Sequence, residues 1–250
     1  MRKAKYSMLK IDEKMQGFAC GKGPRGCFSI TLNPNADEFA YRVADFIRYE
    51  NARGRKVRFK PRSFDPSDAL NSVPESGSVP RPSDPLYLVH STTLTAYDKI
   101  LKDGQLKSTS QLRKEGTAQH AIGFLPLGEP SDYLDYIMFG GMDNAGSLYP
   151  GCEIVVNSHL RGEPCYDADA PYQPQARIYF DARKIIADGL AVRDGTHTLK
   201  VYGTLPLEEY HLRTVLAGDV TLPAGAEHWT PALFTEAANA LFDREMGVAP

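Results

Sequence analysis

The chain has 250 residues, 42% of them hydrophobic and 24% charged, with a formal net charge of -2 at pH 7. Such totals describe an ordinary folded globular protein and exclude a disordered chain; the length allows one large domain or two small ones. No apolar run approaches the ~20 residues a membrane helix needs, and the opening "MRKAKYSMLK" lacks the apolar core of a signal peptide, so a cytoplasmic protein without a membrane partner is expected. The charge is unevenly spread: residues 1–85 carry +6 and residues 86–250 carry -8. Cys20, Cys27, Cys152 and Cys165 form no CxxC pair and the six histidines include no i, i+4 pair, so no metal site is expected.

In chain order, "FACGKGPRGCFSITL" reads as two short strands around a Gly-rich turn. Asn33 to Asp37 can cap a helix that carries Phe39, Val43, Phe46 and Ile47 at helical spacing. "RGRKVRFKPR" gives a strand with alternating basic residues. Residues 1–62 are thus expected to form a small basic α+β module. Lys22, Arg25, Arg55, Lys56, Arg58 and Lys60, with Arg53, can offer sequence-independent attraction to nucleic-acid phosphates. Two other roles stay open for the same charges: protection of an edge strand against aggregation, or docking onto the acidic second half. "GKGPRG" lacks the spacing and the GK[ST] ending of a phosphate-binding loop.

Residues 63–85 fall in a stretch with six prolines between Pro61 and Pro85 and read as a linker. Beyond it, the apolar strand Leu86 to Val89 runs into His90 and three hydroxyl residues. A helix follows, with Leu94, Tyr97, Ile100 and Leu101 on one face and Gly104 at its end. Further strands are expected at 135–140, 151–157, 176–182, 189–193 and 198–203. The tail, "TPALFTEAANALFDREM", reads as an amphipathic helix docked on the core. Short strands outnumber helices, which points to an α+β domain over residues 86–250 with largely antiparallel sheets.

Two blocks carry a family resemblance. "LVHSTTLTAYDKILKDGQLKS" is similar to the opening of the ADP-ribosyltransferase superfamily, with Ser91 where the family usually has Gly. "ARIYFDARKIIADGLAVRDGTHTLKVYGTLPLEEY" resembles the closing part of its RNA 2'-phosphotransferase branch, through Asp181-Ala182, Asp188-Gly189, Gly195, Pro206 and Glu209-Tyr210. "DYIMFGG" resembles a strand and loop of the DarT-like nucleic-acid-modifying members. The resemblance implies a split β-sandwich that holds NAD as co-substrate between two small sheets. It also implies that His90 bonds the nicotinamide-side ribose, that the backbone of Ser91 binds the carboxamide, and that Thr92 supports the loop.

Cleavage of the nicotinamide glycosidic bond builds positive charge on the ribose, so a carboxylate near the 2'-OH is wanted. The late-strand position where many members carry Glu holds His197 here. Glu153 is the other candidate: it lies in an apolar stretch read as a strand, where a charge needs a partner or an outward face. Tyr136 and Phe139 either stack on nicotinamide or belong to the core. Arg113, Arg177, Arg193 and Lys107 are the cations available to hold a phosphate. With the positive first module, the resemblance implies an NAD-dependent ADP-ribosyltransferase with a nucleic-acid acceptor, DNA or RNA. RNA 2'-phosphotransfer, a non-catalytic binding module and a protein-modifying toxin with a neutralising partner protein are the alternatives.

Overall fold

The computed structural model describes residues 6–15, 18–24, 27–73, 80–81, 84–117, 133–142, 150–193 and 198–247. The N-terminal part contains β1 (Tyr6–Ile11), β2 (Phe18–Lys22), β3 (Phe28–Leu32), α1 (Phe39–Ala52), β4 (Lys56–Lys60) and α2 (Ser67–Ser72). Its four strands form one sheet in the order β2-β3-β1-β4, with β1 parallel to both neighbours and β2 antiparallel to β3. Period-2 alternation sets its faces: Ser7 and Leu9 of β1 turn inward with Val57 and Phe59 of β4, and Tyr6, Met8 and Lys10 turn outward with Lys56, Arg58 and Lys60. α1 covers the inner face through Val43, Phe46 and Ile47, each 6% exposed or less. At about 1.5–3 kcal/mol for each large apolar side chain removed from water, that stripe holds the helix to the sheet. Asn33 does not cap α1. Glu38 stands at the N-cap in the left-handed region, while the Asn33 amide donates to the carbonyls of Glu13 and Met15.

The second part supplies β5 (Tyr87–Thr92), α3 (Leu94–Asp103), β6 (Gln105–Lys107), α4 (Thr109–Lys114), β7 (Tyr136–Met142) and α5 (Gly151–Arg161). There follow β8 (Ala176–Asp181), α6 (Ala182–Ala187), β9 (Ala191–Arg193), β10 (Thr198–Tyr202) and β11 (Thr204–Pro206), then α7 (Leu207–Tyr210), β12 (His211–Leu216) and α8 (Pro231–Met246). Six strands form an antiparallel sheet in the order β12-β8-β5-β7-β10-β9, and β11 pairs with β6 in a small ladder. The result is a mixed α and β architecture with several sheets, in keeping with the expected α+β class. No helix among the described residues is long and apolar enough to cross a membrane.

Residues 151–157, expected as a strand, form the first turns of α5 instead. The β-branched run "EIVVN" has strand propensity, but tertiary packing overrides it. Of the residues that α5 buries, Glu153, Val156, Asn157 and Ser158, the first three recur at three- and four-residue spacing, and Gly162 closes the helix in the left-handed region.

The two faces of the six-stranded sheet are covered differently. Leu88, Ile137, Phe139, Ile178, Phe180, Leu199 and Val201 form one core with residues of α6, α7 and the β6–β11 ladder. On the other face Val89, Tyr179 and Val215 pack with Val156 of α5 and with Phe234, Ala238 and Phe242 of α8. Tyr136 and Met138 of β7, on that second face, instead join the core of the N-terminal sheet. Inside the stretch expected as a linker, α2 packs on α1, and the Arg48 guanidinium donates to the carbonyls of Leu70 and Val73.

One ion pair lies in this shared core. Lys200 of β10 and Glu50 of α1 are both fully buried, with Nζ 3.2 Å from Oε1. The ammonium sits 3.3 Å from the centroid of the Phe28 ring and 4.3 Å from that of Tyr136, a cation–π arrangement. Glu50 also accepts from Ser7 at 2.8 Å and pairs with Arg55 at 2.9 Å. The acid therefore comes from the basic part of the chain and the base from the acidic part, opposite to what the net charges suggest for docking. Removing one member of a buried pair strands the other. Glu50→Gln, which strands the fully buried Lys200, is therefore expected to cost about 3–5 kcal/mol in urea unfolding, and Glu50→Gln combined with Lys200→Met to cost clearly less than Glu50→Gln alone.

Candidate functional site

β5 pairs with β8 along its whole length, from Tyr87↔Asp181 to Thr92↔Ala176. Its pairing with β7 covers only Tyr87, Leu88 and Val89, ending at Val89↔Gly140. β7 meanwhile stays paired with β10 down to Tyr136↔Tyr202. The halves β12-β8-β5 and β7-β10-β9 therefore meet over three residue pairs, and their pairing ends where His90 begins.

His90 bridges that point. Its Nδ1 lies 3.3 Å from the carbonyl oxygen of Met138 on β7. A carbonyl can only accept, so this contact selects the tautomer with the proton on Nδ1 and leaves the Nε2 lone pair as an acceptor. The ring packs edge-on against Phe139, centroids 5.8 Å apart, and Phe139 in turn against Phe180 at 5.5 Å. Burial holds the His90 pKa below its ordinary value of 6.5, against the smaller opposing effect of the Met138 contact, so the imidazole is neutral at pH 7. The arrangement is a neutral, oriented hydrogen-bond acceptor at a strand end, suited to a hydroxyl donor.

The backbone after His90 is held firmly. The Thr93 hydroxyl caps α3 by accepting from the Ala96 N–H, and the Leu94 N–H donates to Oε1 of the buried Gln175. Thr92 is buried and registered with Ala176. The Ser91 hydroxyl, on the opposite face of β5 from His90, donates to Oε1 of Glu153 at 2.5 Å.

Glu153 is fully buried. Nη1 of Arg177 reaches its two oxygens at 2.8 and 2.7 Å, and the Thr235 hydroxyl donates to Oε2 at 3.0 Å. Arg177, 2% exposed, also donates to Oδ1 of Asn239 and to the Tyr179 hydroxyl. The Glu153 carboxylate opposite Arg177 raises the guanidinium's pKa against the cost of burial, so it stays charged. Beside them, burial pushes the Cys152 thiol up to about 11, which makes it an unreactive group. Glu153 thus occupies a helix instead of a strand, and the sheet separates its carboxylate from the imidazole of His90.

The other expected site residues divide. Phe139 is the floor under His90, only 2% exposed, so its ring faces are not open for stacking. Tyr136 points away from His90 into the shared core beside Lys200 and Tyr202. Arg113 is exposed in the last turn of α4, which packs beside the start of β7, at the same end of the sheet as Thr92. Lys107 is held between Asp103 and Glu115, each at 2.8 Å. His197, Arg25 and the side chains of Arg193 and Lys22 lie outside the described residues. Arg55 leaves the expected basic surface, because it turns in to pair with Glu50.

Several contacts tie the closing block of the sequence together, among them two hydrogen bonds made by the resembling residues. Asp181 caps α6 by accepting from the Lys184 N–H, and the Tyr210 hydroxyl donates to Asp188 at 2.9 Å. Met138, Gln175, Thr235 and Asn239 were not among the expected site residues. Met138 acts through its carbonyl, which has no side-chain signature, and the other three become visible only once α3, α5 and α8 are placed.

No protein-family model matches the chain, and neither does any curated protein. Among solved structures, the Thermus sp. 2.9 DarT in complex with carba-NAD+ is similar, at 16% identity and a TM-score of 0.30, over 55% of this chain and 81% of that one.

The His90 assignment predicts an NMR signature. In ¹⁵N-histidine spectra at pH 7, His90 should show a protonated Nδ1 and a bare Nε2. Because its folded pKa is depressed, the folded state binds fewer protons than the unfolded one below 6.5. Stability from this residue is accordingly full above pH 6.5 and is lost as the pH falls from there toward the folded value. A His90→Gln variant should flatten that part of the stability profile.

Proposed function

We propose that this protein binds NAD where the β5 and β7 halves part, cleaves its nicotinamide glycosidic bond and transfers ADP-ribose to a nucleic-acid acceptor. The observation that carries the reading is His90: a neutral imidazole at a strand end, locked by the Met138 carbonyl with Nε2 left to accept. It stands at the position where the resemblance of "LVHSTT" to ADP-ribosyltransferases calls for a ribose-binding histidine. Within the one six-stranded sheet, the β12-β8-β5 and β7-β10-β9 halves are joined by only three residue pairs, which supports reading that seam as the cleft.

In this reading a ribose hydroxyl donates to Nε2 of His90, which fixes the sugar as positive charge develops on it. The bond from the ribose to the nicotinamide nitrogen breaks and its electron pair leaves with the ring. A lone pair on the acceptor forms the new bond to the same carbon, and the acceptor's proton passes to a base. Glu153 is not that base, because all its hydrogen bonds lie on the far side of the sheet. It acts as a positioning residue, through Ser91, on the strand that carries His90.

The enclosure of Glu153 favours one second reading, a module that binds NAD or ADP-ribose without turnover. RNA 2'-phosphotransfer is less well supported. Of the four cations considered for holding a phosphate, Arg177 and Lys107 are committed to carboxylates.

Incubation with NAD labelled in its adenylate part, together with single-stranded DNA, RNA and protein, tests the proposal. Label should enter nucleic acid, and His90→Ala should lower incorporation by about 10²-fold or more, the scale on which a displaced reactant loses rate. Binding of NAD without release of nicotinamide would leave the second reading; nicotinamide release confined to 2'-phosphorylated RNA would replace transfer with phosphotransfer.

A further inference from the structure

The outward face of the N-terminal sheet combines features that the linear sequence does not show to be adjacent. On β4, one of the two edge strands, Lys56, Arg58 and Lys60 are all exposed and, by alternation, project to one side. With about 3.3 Å per residue in a parallel strand, they make a row roughly 13 Å long. The neighbouring strand β1 adds Lys10 directly beside Lys60, Met8 beside Arg58, and Tyr6 beside Lys56. No carboxylate among the described residues pairs with any of these four cations. Asp12, in the turn after β1, accepts from the backbone N–H of Lys14.

Arg58 is ordered without an acid. Its guanidinium lies 4.0 Å from the centroid of the Tyr6 ring, and the Tyr6 hydroxyl donates to the carbonyl of Pro24. The planar cation is thereby held in the middle of the row by an aromatic partner, which leaves its charge uncompensated. Arg55, which sequence alone places in the same row, is removed from it by Glu50. The inner face of this sheet is used in the shared core, and on the outer face the β4 side keeps Lys56, Arg58 and Lys60 exposed.

We infer that this face, Lys10, Lys56, Arg58 and Lys60 with Tyr6, is the docking surface for a single-stranded nucleic acid, held by its phosphates without sequence preference. A row of cations with a stacked guanidinium and aromatic pair matches what binding of unpaired strands uses, namely backbone charge neutralisation and planar groups on which bases stack. The inference rests on the nucleic-acid reading of the acceptor and assigns that acceptor a place on the molecule outside the His90 region.

The test is fluorescence anisotropy of the full chain with labelled 20-mers of dT and of U across a salt series. Each phosphate neutralised contributes about -0.7 to the slope of log K against log salt on a single strand, so four cations give a slope near -3. Lys56→Gln, Arg58→Gln and Lys60→Gln together should reduce that slope by about 2 and weaken binding at low salt by at least tenfold. The charge-preserving Lys56→Arg with Lys60→Arg should retain it. Melting temperature serves as the folding control for both variants.

Unchanged affinity in the triple-Gln variant would overturn the inference. So would unchanged affinity with new self-association, which would mark the charges as edge protection, or clear preference for duplex over single strand. The enzymatic reading is scored separately, by nicotinamide release from NAD in the absence of nucleic acid. The triple-Gln variant should release it like the parent chain, and loss of nucleic-acid binding in a protein that never turns over NAD would sustain the surface while sinking the transferase.

Discussion

The ion pair between Arg177 and Glu153 is the constraint from which the geometry around His90 follows. It ties β8 to α5 directly, β5 through Ser91 and α8 through Thr235 and Asn239. Burying two charges is costly unless each finds its full set of partners, and here each has several. That requirement leaves little freedom in where α5 and α8 sit against the sheet. It also decides which way β5 faces: with Ser91 drawn to Glu153, alternation turns His90 to the other side, over Phe139. A one-residue slip of β5 would exchange the two, stranding the carboxylate's hydroxyl partner and the imidazole at once.

The second buried pair, Lys200 with Glu50, plays the corresponding part for the N-terminal sheet. It fixes the inner face of that sheet against β7 and β10, and so determines that Lys56, Arg58 and Lys60 face outward. Both pairs thus act by elimination: each consumes one face of a sheet and assigns the opposite face to solvent or ligand. The close approach of α5 to β7 has a similar logic, since a side-chain carbon at Gly140 would meet Cys152 Sγ at 3.1 Å.

How much of this was legible in the sequence depends on the range of the interaction concerned. α1, α3 and α8 announce themselves by helical spacing, by Thr93 and Thr230 at N-caps and by Gly104 and Gly247 at left-handed ends. The strands at 87–92, 176–181 and 198–202 are equally visible as apolar or alternating runs. Asp188 and Tyr210 belong to one sequence pattern, and their hydrogen bond is the physical reason for it. By contrast, the β-branched residues of α5 hide its helical character, so Glu153 reads as a strand residue in the sequence and lies on a helix in the structure. Glu50 on an apolar helix face and Lys200 between Leu199 and Val201 are signals in hindsight. A lone buried charge implies a partner, but nothing local says that two charges 150 positions apart are each other's.

On the proposed function, Nε2 of His90 accepts a hydrogen bond from the nicotinamide-side ribose where β5 and β7 part. The most direct measurement is a crystal structure of the chain with NAD or a non-hydrolysable analogue bound. A ribose hydroxyl is expected within hydrogen-bonding distance of His90 Nε2, with the Nδ1 contact to the Met138 carbonyl kept. An NAD molecule bound elsewhere on the chain, or a His90 side chain that turns from the ligand when the site fills, would contradict it.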